Sequence, residues 1–86
     1  MVRNRIEIIA QILEVVNEGS DDGVTKTKIM YKAFLSYKQI KEYVALLTER
    51  DLLRYDSITQ TYKTTEKGLR LLQFCNELDE MMKKAS

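Results

Sequence analysis

The chain has 86 residues, 44% of them hydrophobic, which supports one domain with a single modest core. Its 14 basic and 13 acidic residues leave a formal net charge of +1, so the chain is no polycationic arm, and affinity for a polyanion must come from charge placement. With no histidine, no glycine-rich phosphate loop and three glycines in all, the composition points away from an enzyme.

From Arg3 to Glu18, the residues Ile6, Ile9, Ala10, Leu13 and Val16 follow helical spacing, and Ile8, Ile12 and Val15 form a second stripe beside them. This predicts a first helix buried on more than one side. Glu7 and Glu14 interrupt the apolar positions, so no signal peptide is expected here, and no stretch approaches the roughly 18 apolar residues of a membrane span. The lone cysteine, Cys75, excludes an intramolecular disulfide and fits a reducing compartment, so a cytoplasmic location is expected. Gly19-Ser20-Asp21-Asp22-Gly23 should end the helix, being rich in residues that favour turns.

Thr25 is placed to cap a second helix reaching about Ala33, with Val24 and Ile29 as a hydrophobic staple. After a short turn, Ser36 and Gln39 form a capping box, and Leu35 with Ile40 a second staple, so a third helix begins at Tyr37. In it, Ile40, Tyr43, Val44 and Leu47 share a packing face, while Lys38, Lys41, Glu42 and Ala45 fall on a free one. Two helices joined so tightly make a helix-turn-helix, whose second helix can lie in a DNA major groove.

Leu52-Leu53-Arg54-Tyr55, the polar stretch 56–60 and Thr61-Tyr62-Lys63-Thr64 predict a short hairpin, which after a helix-turn-helix is a wing. Thr65 then caps a last helix with Glu66 near its positive end, running towards Lys83 and Lys84. The expected fold is mainly α with a small β-hairpin: a winged helix-turn-helix domain over 1–65, and a C-terminal dimerisation helix over 66–86.

Charge placement is the most informative feature. From Val24 through Lys41 there are five lysines, Lys26, Lys28, Lys32, Lys38 and Lys41, and no acid. Such lysines often do no more than solvate exposed faces, but their position on the helix-turn-helix puts them where phosphates would lie. Lys38 and Lys41 are the strongest candidates for phosphates or guanine edges. Gln39 would suit adenine if it is not used in capping, and Glu42 would either accept from cytosine or pair with Lys38. Tyr37 would stack, bond to the DNA backbone or cover the turn. On the wing, Arg54 and Lys63 would flank the duplex or form salt bridges, with Gln60 reaching the minor groove, while Tyr55 and Tyr62 would cover the core.

The last helix carries one stripe of Leu71, Phe74, Leu78 and Met81 and another of Leu72, Cys75 and Met82. One stripe suits the domain and the other a partner, so Leu71, Phe74, Cys75, Leu78, Met81 and Met82 are candidates for a homodimer interface; alternatively both stripes pack against the first helix. Cys75 has no second thiol or histidine beside it in sequence, and packing is its expected role. No cofactor or metal site is expected.

Four segments together resemble the archaeal winged-helix DNA-binding proteins: Ile-Glu-Ile-Ile-Ala-Gln-Ile-Leu at 6–13, Thr-Lys-Thr-Lys-Ile-Met-Tyr-Lys-Ala at 25–33, Leu-Ser-Tyr at 35–37 and Thr-Glu-Lys-Gly at 65–68. The resemblance implies double-stranded DNA as the partner, with Ser36 to Glu42 opening the recognition helix, 52–64 forming the wing and Leu71 to Met82 the dimer helix. That group includes chromatin-associated proteins and predicted transcriptional regulators, many dimerised through a long antiparallel C-terminal helix. Here the C-terminal helix is short and the net charge low, so a nucleoid-associated packaging protein and a site-selective regulator are both compatible. A winged helix can also serve as a protein-docking module without binding DNA.

Overall fold

A computed structural model describes residues 4–19 and 22–84. Elements follow in the order α1 (Arg5–Glu18), α2 (Lys26–Lys32), α3 (Tyr37–Glu49), β1 (Leu53–Asp56), β2 (Thr61–Thr64) and α4 (Glu66–Lys84). This is the winged-helix order expected from the sequence. The first helix starts two residues later than its periodicity indicates, because Asn4 is the cap: its side-chain oxygen accepts from the Glu7 N–H at 2.8 Å. Ser20 and Asp21 of the expected turn, and Arg3, lie outside the described residues.

Both later caps form as their residues dictate. The Thr25 hydroxyl accepts from the Lys28 N–H at 3.2 Å, and Ser36 and Gln39 close a reciprocal capping box at 3.1 and 3.0 Å. Both staples are in place, with Val24, Ile29, Leu35 and Ile40 all buried. The ends of α2 and α3 are less ordinary. Each closes with the 6→1 and 5→2 pair of a Schellman turn: Leu35 N–H to Met30 O at 3.0 Å with Phe34 N–H to Tyr31 O at 3.3 Å, and Leu52 N–H to Leu47 O at 2.8 Å with Asp51 N–H to Thr48 O at 3.1 Å. The left-handed position, usually glycine, is Phe34 (φ 56°) in the first turn and Asp51 (φ 61°) in the second.

The core draws Ile8, Ile12, Leu13 and Val16 from α1, Ile29 from α2, Ile40, Val44 and Leu47 from α3, and Leu53 from the wing. Strand β1 pairs antiparallel with β2, Arg54 opposite Lys63 and Tyr55 opposite Tyr62. Val24 adds a bridge that sequence periodicity does not reveal: it exchanges backbone hydrogen bonds with Tyr62 at 2.9 and 2.7 Å, fastening the wing to the strand-like entry of α2. Gly23 (φ 91°) shapes that entry, and a Cβ there would lie 2.6 Å from the Thr61 hydroxyl oxygen.

The Thr-Glu-Lys-Gly segment is a structural junction. Thr65 caps α4, accepting from Gly68 N–H at 3.0 Å while donating to Asp51 O at 2.6 Å. Lys67 donates to Arg50 O at 3.0 Å, placing a cation at the negative end of α3. A Cβ on Gly68 would collide with the Leu52 carbonyl oxygen, so glycine is what lets α4 start against the wing's root.

The two stripes of α4 are divided differently from the sequence expectation. Leu72 is buried, Leu71 packs half-buried on the core and Cys75 is half-buried, whereas Phe74, Leu78, Met81 and Met82 are exposed. A helix seated on α1 turns positions i, i+1 and i+4 inward, which takes Leu71 from the outer stripe and leaves Met82 with it. Among the described residues no helix is long and apolar enough to cross a membrane.

Candidate nucleic-acid interface

The surface formed by α2, the start of α3 and the wing carries most of the candidate residues. Lys28, Ser36, Tyr37, Lys38, Gln39, Lys41 and Glu42 are exposed, and Lys26 is half-buried. The Lys26 ammonium lies 5.3 Å from the centre of the Tyr37 ring, a cation–π distance that joins the start of α2 to the start of α3. Tyr37 stays open to solvent and so does not cover the turn as a core residue would.

The free face of α3 is as its spacing predicts, with Lys38, Lys41, Glu42 and Ala45 all exposed. Two details narrow the possible base contacts. The Gln39 Oε1 accepts from the Ser36 N–H, so the closed box already engages the oxygen that a bidentate adenine contact would use. Glu42 lines a shallow depression with Arg5, Tyr43 and Leu46, placing it at the α1 edge of the face, and among the described residues it forms no ion pair with Lys38. Lys32 belongs elsewhere: it lines a depression with Glu14, Glu18 and Phe34 on the α1 side.

On the wing, Arg54 and Lys63 stand directly opposite each other on one face. Neither forms a salt bridge among the described residues, where the ion pair is the exposed Glu66–Arg70 at 3.0 Å. Two like charges at directly opposed ribbon positions repel, an arrangement that an anion between them would relieve. Tyr55 and Tyr62 share the opposite face with ring centroids 4.8 Å apart. Tyr62 is half-buried and Tyr55 exposed, so only the first behaves as the expected cover for the core. Burial, and then the neighbouring Tyr55, push the Tyr62 phenol above its ordinary value.

Gln60 sits near the wing tip in the left-handed region (φ 57°). With Thr59, Tyr55 and Tyr62 it faces Thr25, Lys26 and Thr27 across an open polar groove, and Lys26 links that groove to Tyr37 at the start of α3. The tip is held by Asp56, whose carboxylate accepts from the Ile58 and Thr59 N–H groups at 2.9 and 3.4 Å. Those two backbone bonds, more than the nearby Lys63, hold the Asp56 carboxyl below its ordinary value. The most prominent side chain on the tip is Ile58, 92% exposed, which sequence reading passed over because a single aliphatic residue in a polar run carries no periodic signal.

The dimer candidates lie apart from this surface. Leu78 and Cys75 border a groove between α4 and α1 with Ile6 and Ala10, rimmed by Glu7, Glu14 and Asp79. Burial raises the Cys75 thiol, the opposite of what a reactive cysteine needs. Phe74, Met81 and Met82 project into solvent beyond the groove.

Two uncharacterized proteins of Methanocaldococcus jannaschii are similar in sequence. One is 30% identical over 80 residues, which cover 93% of this chain and 77% of the relative. The other is 34% identical over 76 residues, covering 88% of this chain and 34% of that longer protein. Among solved structures, Sso10a-2, described as a DNA-binding protein from Sulfolobus solfataricus, shares the fold with a TM-score of 0.79 over 96% of this chain and 85% of its own, at 22% identity. The family model described as winged helix-turn-helix matches residues 2–83. With helix-turn-helix, wing and closing helix all in place, the chain belongs to the winged helix-turn-helix family.

Proposed function

We propose that this protein binds double-stranded DNA as a homodimer, with α3 entering the major groove and the wing lying over the adjacent backbone. The observation that carries the reading is the acid-free run from Val24 to Lys41, in which Lys28, Lys38 and Lys41 are exposed and Lys26 lines a groove shared with the wing. Lys38 and Lys41 act at phosphates or guanine edges, Arg54 and Lys63 at phosphates along the wing, and Tyr37 against the DNA backbone. The structurally similar Sso10a-2 carries the description of a DNA-binding protein, which supports the same reading. Phe74, Leu78, Met81 and Met82 join two copies, which sets the two recognition helices about 34 Å apart if they enter successive major grooves. The protein then acts at the nucleoid, as a transcriptional regulator or a chromatin component.

A second reading, a protein-docking module, is favoured by that same exposed apolar row on α4. Duplex binding measured across a salt series, with random and candidate promoter DNA in parallel, decides between the two. A steep fall of affinity with salt is expected, and a gap between the two DNAs marks a regulator. No binding at low salt overturns the DNA reading in favour of the docking module.

A further inference from the structure

The wing tip presents a side chain whose chemistry differs from everything around it. Ile58 is 92% exposed, while its neighbours Ser57, Thr59 and Gln60 are polar and exposed. Tips of this kind ordinarily carry glycine, asparagine, aspartate or serine, and an aliphatic side chain gains nothing there from burial within the chain. A protein-docking patch would surround it with further apolar side chains, and the tip has none.

Nor is the residue loosely held. Asp56 accepts from the Ile58 N–H at 2.9 Å, and the Thr59 and Thr61 hydroxyls bond at 2.7 Å. The Thr61 hydroxyl donates to the Asp22 carbonyl at 2.9 Å, and Val24 pairs with Tyr62, so the tip is tied into the body of the domain. A β-branched side chain adds little rotamer freedom of its own. The backbone that carries Ile58 is thus held beside Thr59 and Gln60, which line the groove they share with Lys26, itself over the Tyr37 ring.

We infer that Ile58 is an apolar wedge that enters the minor groove beside the recognition helix and partly opens a base step, bending the duplex. This rests on the DNA-binding reading above and adds to it a named residue and a deformation of the DNA. Single aliphatic or aromatic side chains perform such insertions when the surrounding protein grips the backbone. Here Lys26 lies across the groove from Thr59 and Gln60, and Arg54 and Lys63 put two cations on the other face of the hairpin. The wedge favours pyrimidine–purine steps, which unstack most easily, so it confers a preference at positions where no base edge is read.

The test compares the native protein with Ile58→Ser and Ile58→Leu on mixed-sequence duplexes of roughly 30 base pairs, labelled at both ends so that energy transfer reports bending. Affinity is followed over a salt series in the same samples. The native protein should raise energy transfer. Ile58→Ser should lose that rise and bind about tenfold more weakly, the scale expected for one aliphatic side chain no longer buried. Its salt slope should stay unchanged, because methyl groups release no counterions, and Ile58→Leu should keep both binding and bending. Native-like binding and bending by Ile58→Ser overturns the wedge and leaves the DNA-binding reading standing. A loss accompanied by a shallower salt slope also overturns it, since phosphate contacts would then have been displaced. Failure of the native protein to bind any duplex removes the DNA-binding reading, and the wedge with it.

Discussion

At the residue scale, Phe34 carries the clearest local conflict. It holds a left-handed conformation that disfavours any side chain with a Cβ, and its ring is 80% exposed, so little burial offsets the strain. Such a position costs about 1 kcal/mol or more for a non-glycine residue. Phe34→Gly should therefore raise the free energy of unfolding by about 1 kcal/mol in chemical denaturation, whereas Phe34→Ala, which keeps the Cβ, should bring no such gain. A Phe34→Gly protein no more stable than the native one would mean that the ring's place beside Lys32 and the α1 residues Glu14, Val15 and Glu18 outweighs the backbone strain. Ser36 and Gln39 illustrate the opposite case, local chemistry in agreement with the fold, and by closing the box they leave Lys38 and Lys41 as the free ends at the start of α3.

At the element scale, the third helix is where charge and stability can be separated. Lys38 lies in its first turn, near the positive end of the helix dipole, where an acid is favourable. Exchanging Lys38 and Lys41 for glutamate should therefore leave helical content and thermal unfolding close to native while abolishing duplex binding. Unchanged affinity in an anisotropy titration would sink the assignment of α3 as the recognition helix. The wing depends on a different mixture of forces: four ladder pairs, the Val24–Tyr62 bridge and the Asp56 turn give it a fixed shape, and Arg54 and Lys63 give it charge. The hairpin and its strands were legible as alternation around a polar stretch. Its attachment to Val24 was not, because a bridge of one residue has no periodicity to detect.

For the whole molecule, α4 is the element with surface left over. It places Leu72 in the core and half-buries Leu71 and Cys75, while Phe74, Leu78, Met81 and Met82 remain exposed along a helix of 19 residues, or about 28 Å. If this row joins two copies, Leu78→Glu should yield monomers in sedimentation at concentrations where the native protein is a dimer. A native protein already monomeric would refute the dimer outright. Because Leu78 is exposed and lies outside the core that Leu72 joins, the monomer should keep its fold, and a weakened affinity for paired half-sites would then report the lost second recognition helix.

The order of elements, the caps at Thr25, Ser36 and Thr65, and the exposed face of Lys38 and Lys41 were all determined by the sequence, because caps and helical periodicity depend on residues only three or four positions apart. The resemblance carried by Thr-Glu-Lys-Gly was visible too, but its reason was not: the contacts of Lys67 with Arg50, Thr65 with Asp51 and Gly68 with Leu52 join elements distant in sequence. Only the tertiary structure decided which α4 positions face the core, that Lys32 lies with the α1 acids, and that the wing tip and Lys26 share a surface. Local spacing states which residues share a face of one helix; the direction in which that face points is set by packing against every other element at once.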